Sequence, residues 1–220
     1  ITIKDLQSVL NETEVGTDFL PDFPLALVLR ERQNIFRTAA FKDGLFEVQD
    51  ASSQAVAPFL RVAPGMRVID ACAGAGGKTL HLAALMNNKG RIISMDVEGI
   101  KLDELQKRAR RAGVTNLETR VIESSKTIKR LEGSADRLLL DVPCSGLGVL
   151  KRNPDAKWKL SPEFIDNVKE LQGHILQDYC KMVKKDGLIV YSTCSILPSE
   201  NERQVDTFIK RNGDAFELLE

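Results

Sequence analysis

"RVIDACAGAGGKTLHLAALMNNKGRIISMD", residues 67–96, decides the fold. The opening "RVIDACAG" (67–74) reads as a strand that runs into a glycine-rich turn. "GKTLHLAALMNN" follows as a helix ending near Gly90, and "RIISMD" (91–96) as a second strand. Downstream the alternation continues. A charged helix, "GIKLDELQKRARRAG" (99–113), leads to a third strand "LETRVIES" (117–124) and a fourth "RLLLDVPC" (137–144). A helix from about Ser161 to Val183 opens on the cap signal Ser161-Pro162-Glu163. A fifth strand "GLIVYSTCS" (187–195) and a last helix "SENERQVDTFIKR" (199–211) complete the series. Strands alternating with helices predict an α/β fold, a mostly parallel sheet with helices on both faces. Ligands of such sheets sit beyond the carboxyl ends of the strands. Asp70–Gly77, Asp96, Asp141–Cys144 and Thr193–Cys194 are therefore expected along one rim.

Residues 1–47 read differently. "LPDFPLALVLRERQ" (20–33) and "FRTAAFKDGLF" (36–46) suggest short strands and turns in an otherwise irregular stretch. The expected organisation is a small, partial N-terminal module at 1–47 and a main domain at 48–220. The chain opens on Ile1 rather than Met, which reads as a piece of a longer protein.

Of the 220 residues, 43% are hydrophobic and 28% charged, enough to build a real core. No run approaches the roughly 18 apolar residues of a membrane span, and no signal peptide opens the chain. Lys+Arg and Asp+Glu are both 31, so a nucleic-acid partner has to be argued from a local basic face. The four cysteines, 72, 144, 180 and 194, form no CxxC pair, and only His81 and His174 could join them. Neither a zinc site nor a disulfide framework is expected. Free thiols in a monomeric cytoplasmic protein are.

The "GGKT" at 76–79 imitates a phosphate loop. A Walker A motif needs a glycine where Cys72 stands, and no G-x-G-x-x-G follows the strand. What remains is Asp70 at a strand end, small residues that let a ligand approach the backbone, and Asp96 closing the next strand. A carboxylate there can take both hydroxyls of a ribose, which points to an adenosine-containing cofactor. A helix cap and a solvated strand end are the other reading of the same residues.

Two apolar runs end alike, in Cys144-Ser145 and Cys194-Ser195. By themselves these read as buried structural thiols. Taken together, "DACAGAGGKT" (70–79), "MDVEGIKLDEL" (95–105), "DVPCSGLGVLKRNPDAKW" (141–158) and "YSTCSILPSENERQV" (191–205) resemble, in order, the motifs of the Sun/Fmu (RsmB-like) RNA cytosine-5 methyltransferases. "FKDGLFEVQDASSQ" (41–54) resembles that family's segment before the first strand. The resemblance implies a Rossmann-like class I methyltransferase fold and S-adenosylmethionine as cofactor. It implies Cys194 as the nucleophile that adds to C6 of the base, Cys144 as the group that assists release, and Asp141 as a contact to the base edge. It carries Cys72, Ala73, Gly74, Ala75, Gly76, Gly77 and Lys78 over as the cofactor loop, with Asp96 on the ribose and Glu123 or Ser124 near the adenine. The family has Ala-Pro where this chain has Gly74-Ala75, and it adds a closing antiparallel hairpin after the point where this chain stops. The implied substrate is RNA, small-subunit (16S) ribosomal RNA before transfer RNA, with 1–47 as a partial RNA-binding-type module and 48–220 as the methyltransferase catalytic domain. A DNA cytosine methyltransferase is disfavoured by Thr193-Cys194-Ser195, and a non-catalytic RNA-binding assembly protein by the retention of both cysteines.

Three further features are weighed on the residues alone. "KRNPDAKWK" (151–159) follows Cys144 near the rim, so Lys151 and Arg152 are expected on phosphates and Trp158 as a stacking or anchoring residue. Lys107–Arg111 reads as a solvated helix face. Cys180, His81 and His174 read as packing or surface residues.

Overall fold

The computed structural model describes residues 1–219, with Lys159 described by its backbone alone. Glu220, the last residue of the expected 48–220 domain, lies outside the described residues. In chain order the elements are α1 (Ile3–Glu12), β1 (Thr17–Leu20), β2 (Phe23–Leu29), a 3-10 turn at Ile35–Arg37, α2 (Ala39–Lys42), α3 (Ala51–Phe59), β3 (Arg67–Asp70), α4 (Gly77–Leu85), β4 (Arg91–Asp96), α5 (Gly99–Arg111), β5 (Leu117–Val121), α6 (Ser125–Lys129), β6 (Ala135–Asp141), a 3-10 turn at Leu147–Val149, α7 (Ala156–Lys159), α8 (Pro162–Tyr179), a 3-10 turn at Cys180–Met182, β7 (Val183–Ser192) and α9 (Glu202–Asn212).

The central sheet has the strand order β5-β4-β3-β6-β7, and all four pairings are parallel. Side chains alternate across a strand, so both faces must be apolar when both are covered. Val68, Ile92 and Leu139 point to one face, where they pack with Ala57 and Leu60 beside α3 and with Leu82, Ala83 and Met86 of α4 and its end. Their neighbours Ile69, Ile93, Leu138 and Leu140 point to the other, against Ile175 and Leu176 of α8 and Phe208 of α9. The near-continuous apolar reading of these strands is this two-sided burial. The register sets Asp70 opposite Ser94 and Asp141 opposite Ser192, so the strand ends fall on one rim as the alternation required.

The first 47 residues depart from the expectation of strands and turns. Residues 17–29 do form an antiparallel hairpin. Residues 3–12, however, are helical: Thr2 and Asp5 form a capping box, and Leu6, Val9 and Leu10 recur at helical spacing on the packed side. Residues 36–46 turn into a 3-10 turn and α2 rather than strands, with the Thr38 hydroxyl accepting the Phe41 amide at 3.2 Å. Local helix signals, the Thr2 capping box and the Thr38 cap, decide these stretches.

This segment is fastened to α5. Glu47 pairs with Arg108 at 3.0 Å and with Arg111, and the Arg111 guanidinium lies 3.7 Å from the centre of the Phe41 ring. Gly44 (φ +72°) meets the Arg111 carbonyl so closely that a Cβ would lie 2.0 Å from its oxygen. The basic run at 107–111 is thus only partly a solvated face, because two of its arginines are structural clasps. A cavity of about 570 Å³ opens between α1, β2 and α4, lined by Leu6, Leu27, Leu45, Leu80 and His81 among others. It contains neither the rim carboxylates nor the rim cysteines. Among the described residues no helix is long and apolar enough to cross a membrane.

Candidate active site

The rim has two halves. At the ends of β3 and β4 the chain turns through residues 71–76, where Gly74 (φ +53°) and Gly76 (φ +86°) take left-handed conformations. At Gly74 a Cβ would meet nothing within 4 Å, so the turn faces open space. Asp96 secures the turn: its Oδ2 accepts the Gly74 amide at 2.9 Å and its Oδ1 accepts the Glu98 amide at 2.9 Å. Each oxygen keeps lone-pair capacity for a further donor. Beside it Val97 and Ile100 are exposed apolar side chains, suited to lie under a planar base. Glu123 and Ser124 follow β5 on the same side and are exposed, while the Ile122 amide ties that loop to the Asp96 carbonyl at 2.9 Å.

Asp70 lies beneath this turn, fully buried. The Thr79 hydroxyl donates to its Oδ2 at 2.7 Å and stands 2.9 Å from Ser94 Oγ. Burial dominates and pushes the Asp70 carboxyl up to about 7. Burial likewise pushes the Cys72 thiol well up, with Asp70 and Asp96 adding to it, so Cys72 is inert as a nucleophile and serves the loop through its backbone.

Between the halves Lys78 reaches across. It stands in the first turn of α4, within the expected cofactor loop, yet its Nζ donates to Asp141 Oδ2 at 2.6 Å. Ser192 Oγ donates to the other Asp141 oxygen at 2.8 Å. The pair is partly exposed, so Lys78 presents donors and Asp141 an acceptor side by side to whatever enters.

At the ends of β6 and β7 the two thiols meet. Cys144 Sγ and Cys194 Sγ are 3.1 Å apart, and the Cys194 amide donates to Cys144 Sγ at 3.3 Å. Cys194 is exposed and Cys144 half-buried. The Cys144 thiol facing it draws Cys194 down to about 7, with nearby Lys78 helping, while that same contact and burial push Cys144 far up. The pair is thus asymmetric, with Cys194 the more readily ionised thiol and Cys144 the one that more readily keeps its proton.

Four residues of this half were given no role in the site by the sequence reading: Glu200 and Gln172, which it did not single out, and Ser145 and Ser195, which it named only beside their cysteines. Glu200 is 0% exposed. Its Oε2 accepts the Ser145 amide at 2.8 Å and Gln172 Nε2 at 2.9 Å, and its Oε1 accepts the Ser195 hydroxyl at 2.6 Å. Burial raises a carboxylate's pKa, but these bonds outweigh it and hold Glu200 below its usual value. The signal available was the repeated Cys-Ser pair, whose serines bond to each other at 3.0 Å.

Of the remaining candidates, Lys151 and Arg152 are exposed on the loop after Cys144, with Arg152 3.5 Å from Asp50. Trp158 is 79% exposed, so it anchors no core, and the Lys157 ammonium lies 4.8 Å from the centre of its ring. Cys180 is buried and bonds the Gln177 carbonyl. His174 is exposed near Glu170, and burial lowers His81. Among the described residues no group of three His, Cys, Asp or Glu side chains is placed to hold a metal ion.

The family described as 16S rRNA methyltransferase RsmB/F matches residues 57–219. A relative from Synechocystis, described as a probable ribosomal RNA small subunit methyltransferase B, is 38% identical over 209 residues, which is 93% of this chain and 46% of the relative. The chain thus spans about half the length of the curated relatives it matches. A methyltransferase homologue from Pyrococcus horikoshii superposes with a TM-score of 0.83 at 34% identity, covering 96% of this chain and 67% of that one. NSun6 from the same organism, solved with SFG, an S-adenosylmethionine analogue, superposes with a TM-score of 0.75 at 30% identity, covering 86% and 49%.

Proposed function

Because this chain belongs to the RsmB/F family of 16S rRNA methyltransferases, we propose that it methylates C5 of a cytosine in RNA, 16S ribosomal RNA in particular, using S-adenosylmethionine. The observation that carries the reading is the pair of thiols 3.1 Å apart at neighbouring strand ends, beside the Lys78–Asp141 pair. The glycine-rich turn, Asp96 with its spare acceptor capacity, and exposed Val97 and Ile100 fit a nucleoside cofactor. When bound, S-adenosylmethionine supplies an electrophilic methyl group on its sulfonium.

C5 of cytosine is too weak a nucleophile to take that group unaided. The Cys194 thiolate adds to C6, and the C5–C6 π pair moves onto C5 and the ring. Asp141 accepts from the exocyclic amine and Lys78 donates to the neighbouring ring edge, where negative charge develops. The target base has to be turned out of its stack to reach the rim.

After methylation C5 holds both a methyl group and a proton. The largest cause of the raised Cys144 pKa is Cys194 itself. Once Cys194 is a neutral thioether that cause is removed; burial still raises Cys144, the Gly146 and Cys194 amides lower it, and Cys144 gives up its proton to solvent more readily than before. It then takes the proton from C5, the C5–C6 double bond re-forms, and the C6–Sγ bond breaks to return the Cys194 thiolate. Lys151, Arg152 and Trp158 are proposed to hold phosphates and stack a base.

The test uses labelled RNA, S-adenosylmethionine and denaturing electrophoresis. Cys194→Ala should bind yet neither methylate nor give a denaturant-resistant adduct. Cys144→Ala should add to the base and accumulate that adduct. Adduct from Cys194→Ala but not from Cys144→Ala would reverse the roles. Transfer to tRNA in preference to ribosomal RNA would move the substrate, and methylation unchanged in both variants would refute the two-thiol reading.

A further inference from the structure

The two cysteine loops are not joined by secondary structure beyond the ends of β6 and β7. The Ser145 and Ser195 hydroxyls meet, the Cys194 amide reaches Cys144 Sγ, and one buried carboxylate bonds both loops at once. Glu200 takes the Ser145 amide and the Ser195 hydroxyl, and so grips the residue after each cysteine. Gln172 of α8 binds the same carboxylate and also the Pro143 carbonyl at 2.9 Å, which holds the residue before Cys144. Tyr191 donates to the Glu200 carbonyl at 2.8 Å and fastens the carboxylate's own backbone to β7. The Gly148 amide donates to the Cys194 carbonyl at 2.9 Å, where a Cβ on Gly148 would lie 2.7 Å from that oxygen. Glu200 itself touches neither sulfur.

We propose that Glu200 is a positioning residue that sets the separation of the Cys144 and Cys194 sulfurs by clamping the two Cys-Ser pairs to one buried carboxylate. Its consequence for catalysis rests on the two-thiol reading above, but the separation itself does not. A fully hydrogen-bonded buried carboxylate is a stiff element, because freeing either oxygen leaves a charge or a donor unpaired. Geometry is the cause rather than charge. Glutamine at 200 keeps an oxygen for Ser145 and Gln172, and its amide donates to Ser195 Oγ, whose own proton then turns to Ser145 Oγ.

The experiment needs neither RNA nor cofactor. Dibromobimane fluoresces only after bridging two thiols, whereas monobromobimane reports Cys194 alone; mass spectrometry assigns the bridged pair. Glu200→Ala should lower the rate of Cys144–Cys194 bridging about tenfold or more, since roughly an ångström of misplacement is costly to a paired reaction. Monobromobimane labelling of Cys194 should change far less. Glu200→Gln should restore bridging, and Ser195→Ala, which frees Ser195 from the carboxylate but leaves Ser145 and Gln172 on it, should lower it in the same direction but less. Bridging at the wild-type rate in Glu200→Ala overturns the proposal. Should that variant fail to fold by circular dichroism, wild-type bridging in Ser195→Ala does so instead. Wild-type protein that bridges as expected but methylates no RNA would refute the proposed function and leave the clamp standing.

Discussion

At the ends of β3 and β4 the rim is held by backbone: the Gly74 and Glu98 amides bond Asp96, and two glycines take left-handed turns. At the ends of β6 and β7 a backbone bond, Gly148 to Cys194, is joined by many side chains: Glu200, Gln172, Ser145, Ser195 and Asn201, whose amide donates to the Ser195 and Leu197 carbonyls. A backbone-built cradle admits few residue types and tolerates little, because its contacts are fixed by φ and by steric room. A side-chain-built clamp can be altered piecemeal, one hydrogen bond at a time. The first half suits a ligand of constant shape; the second suits sulfurs whose protonation and bonding change in the proposed reaction.

The largest effect that would break this contrast lies at the two glycines. Gly76→Ala puts a Cβ 1.8 Å from Cδ1 of Leu105, itself fully buried, and does so at φ +86°. Left-handed strain of roughly 1–2 kcal/mol and overpacking of roughly 1–3 kcal/mol add to a loss of about 2–5 kcal/mol in stability. Gly74→Ala meets open space and should cost about 1–2 kcal/mol from backbone strain alone, while crowding the ligand. Denaturant melts of both variants check this, and equal destabilisation would mean the turn is not built as described.

Asp96→Ala comes next. It removes acceptors for two backbone amides and for the proposed ribose, and hydrogen bonds to a charged group are worth about 1.5–3 kcal/mol, or roughly 10- to 150-fold in affinity. Calorimetry with S-adenosylmethionine and with its demethylated product should show the loss for both. Unchanged affinities in a folded variant would detach Asp96 from the cofactor.

The thiol half is sharpened by pH. Thiolate grows as pH rises, so alkylation of Cys194 should climb through a midpoint near 7. Cys144→Ala removes the main cause of that lowering, and the midpoint should move up toward the ordinary thiol range near 8.5, cutting the rate at neutral pH by roughly tenfold. A midpoint that stays put would assign the lowering to Lys78 or to the loop instead.

How much of this was legible in the sequence follows the same division. The five strands and the α4 turn were, because two-sided burial writes apolar runs and a tight turn writes glycines: "RVID", "RIISMD" and "RLLLD" name their own faces. Asp96, Asp141 and both rim cysteines were found as strand-end residues. Glu200 was not. It stands inside "SENERQV", where a glutamate at a helix entry looks like any solvated one, and only the pairing of β6 with β7 and the packing of α8 bury it. Lys78 was placed by its neighbours in the chain with the cofactor loop, although its long side chain reaches the end of β6, the strand beside β3 in the sheet. Helix α1 was legible but not read: its Thr2–Asp5 capping box is complete and Leu6, Val9 and Leu10 stand at helical spacing.

The smallest effect expected concerns the loop that leaves the thiol half, and it tests whether RNA meets the rim there. Lys151 is exposed, and Arg152 is exposed but stands 3.5 Å from Asp50. If both hold phosphates, each alanine variant should flatten the dependence of log affinity on log salt by roughly 0.7–0.9, the signature of one released counterion. The two need not be equal. An exposed pair such as Arg152–Asp50 is worth about 0–1 kcal/mol, so Arg152 can leave it for a phosphate, but Asp50 then offsets part of the gain in affinity. Asp50→Asn should therefore strengthen RNA binding slightly in the wild type and not at all in Arg152→Ala. Trp158→Ala serves as the control, since a stacking contact carries no counterion and should leave the slope as it was. A slope unchanged by both basic substitutions would move the RNA surface away from this loop and toward the N-terminal segment that Glu47 fastens to α5.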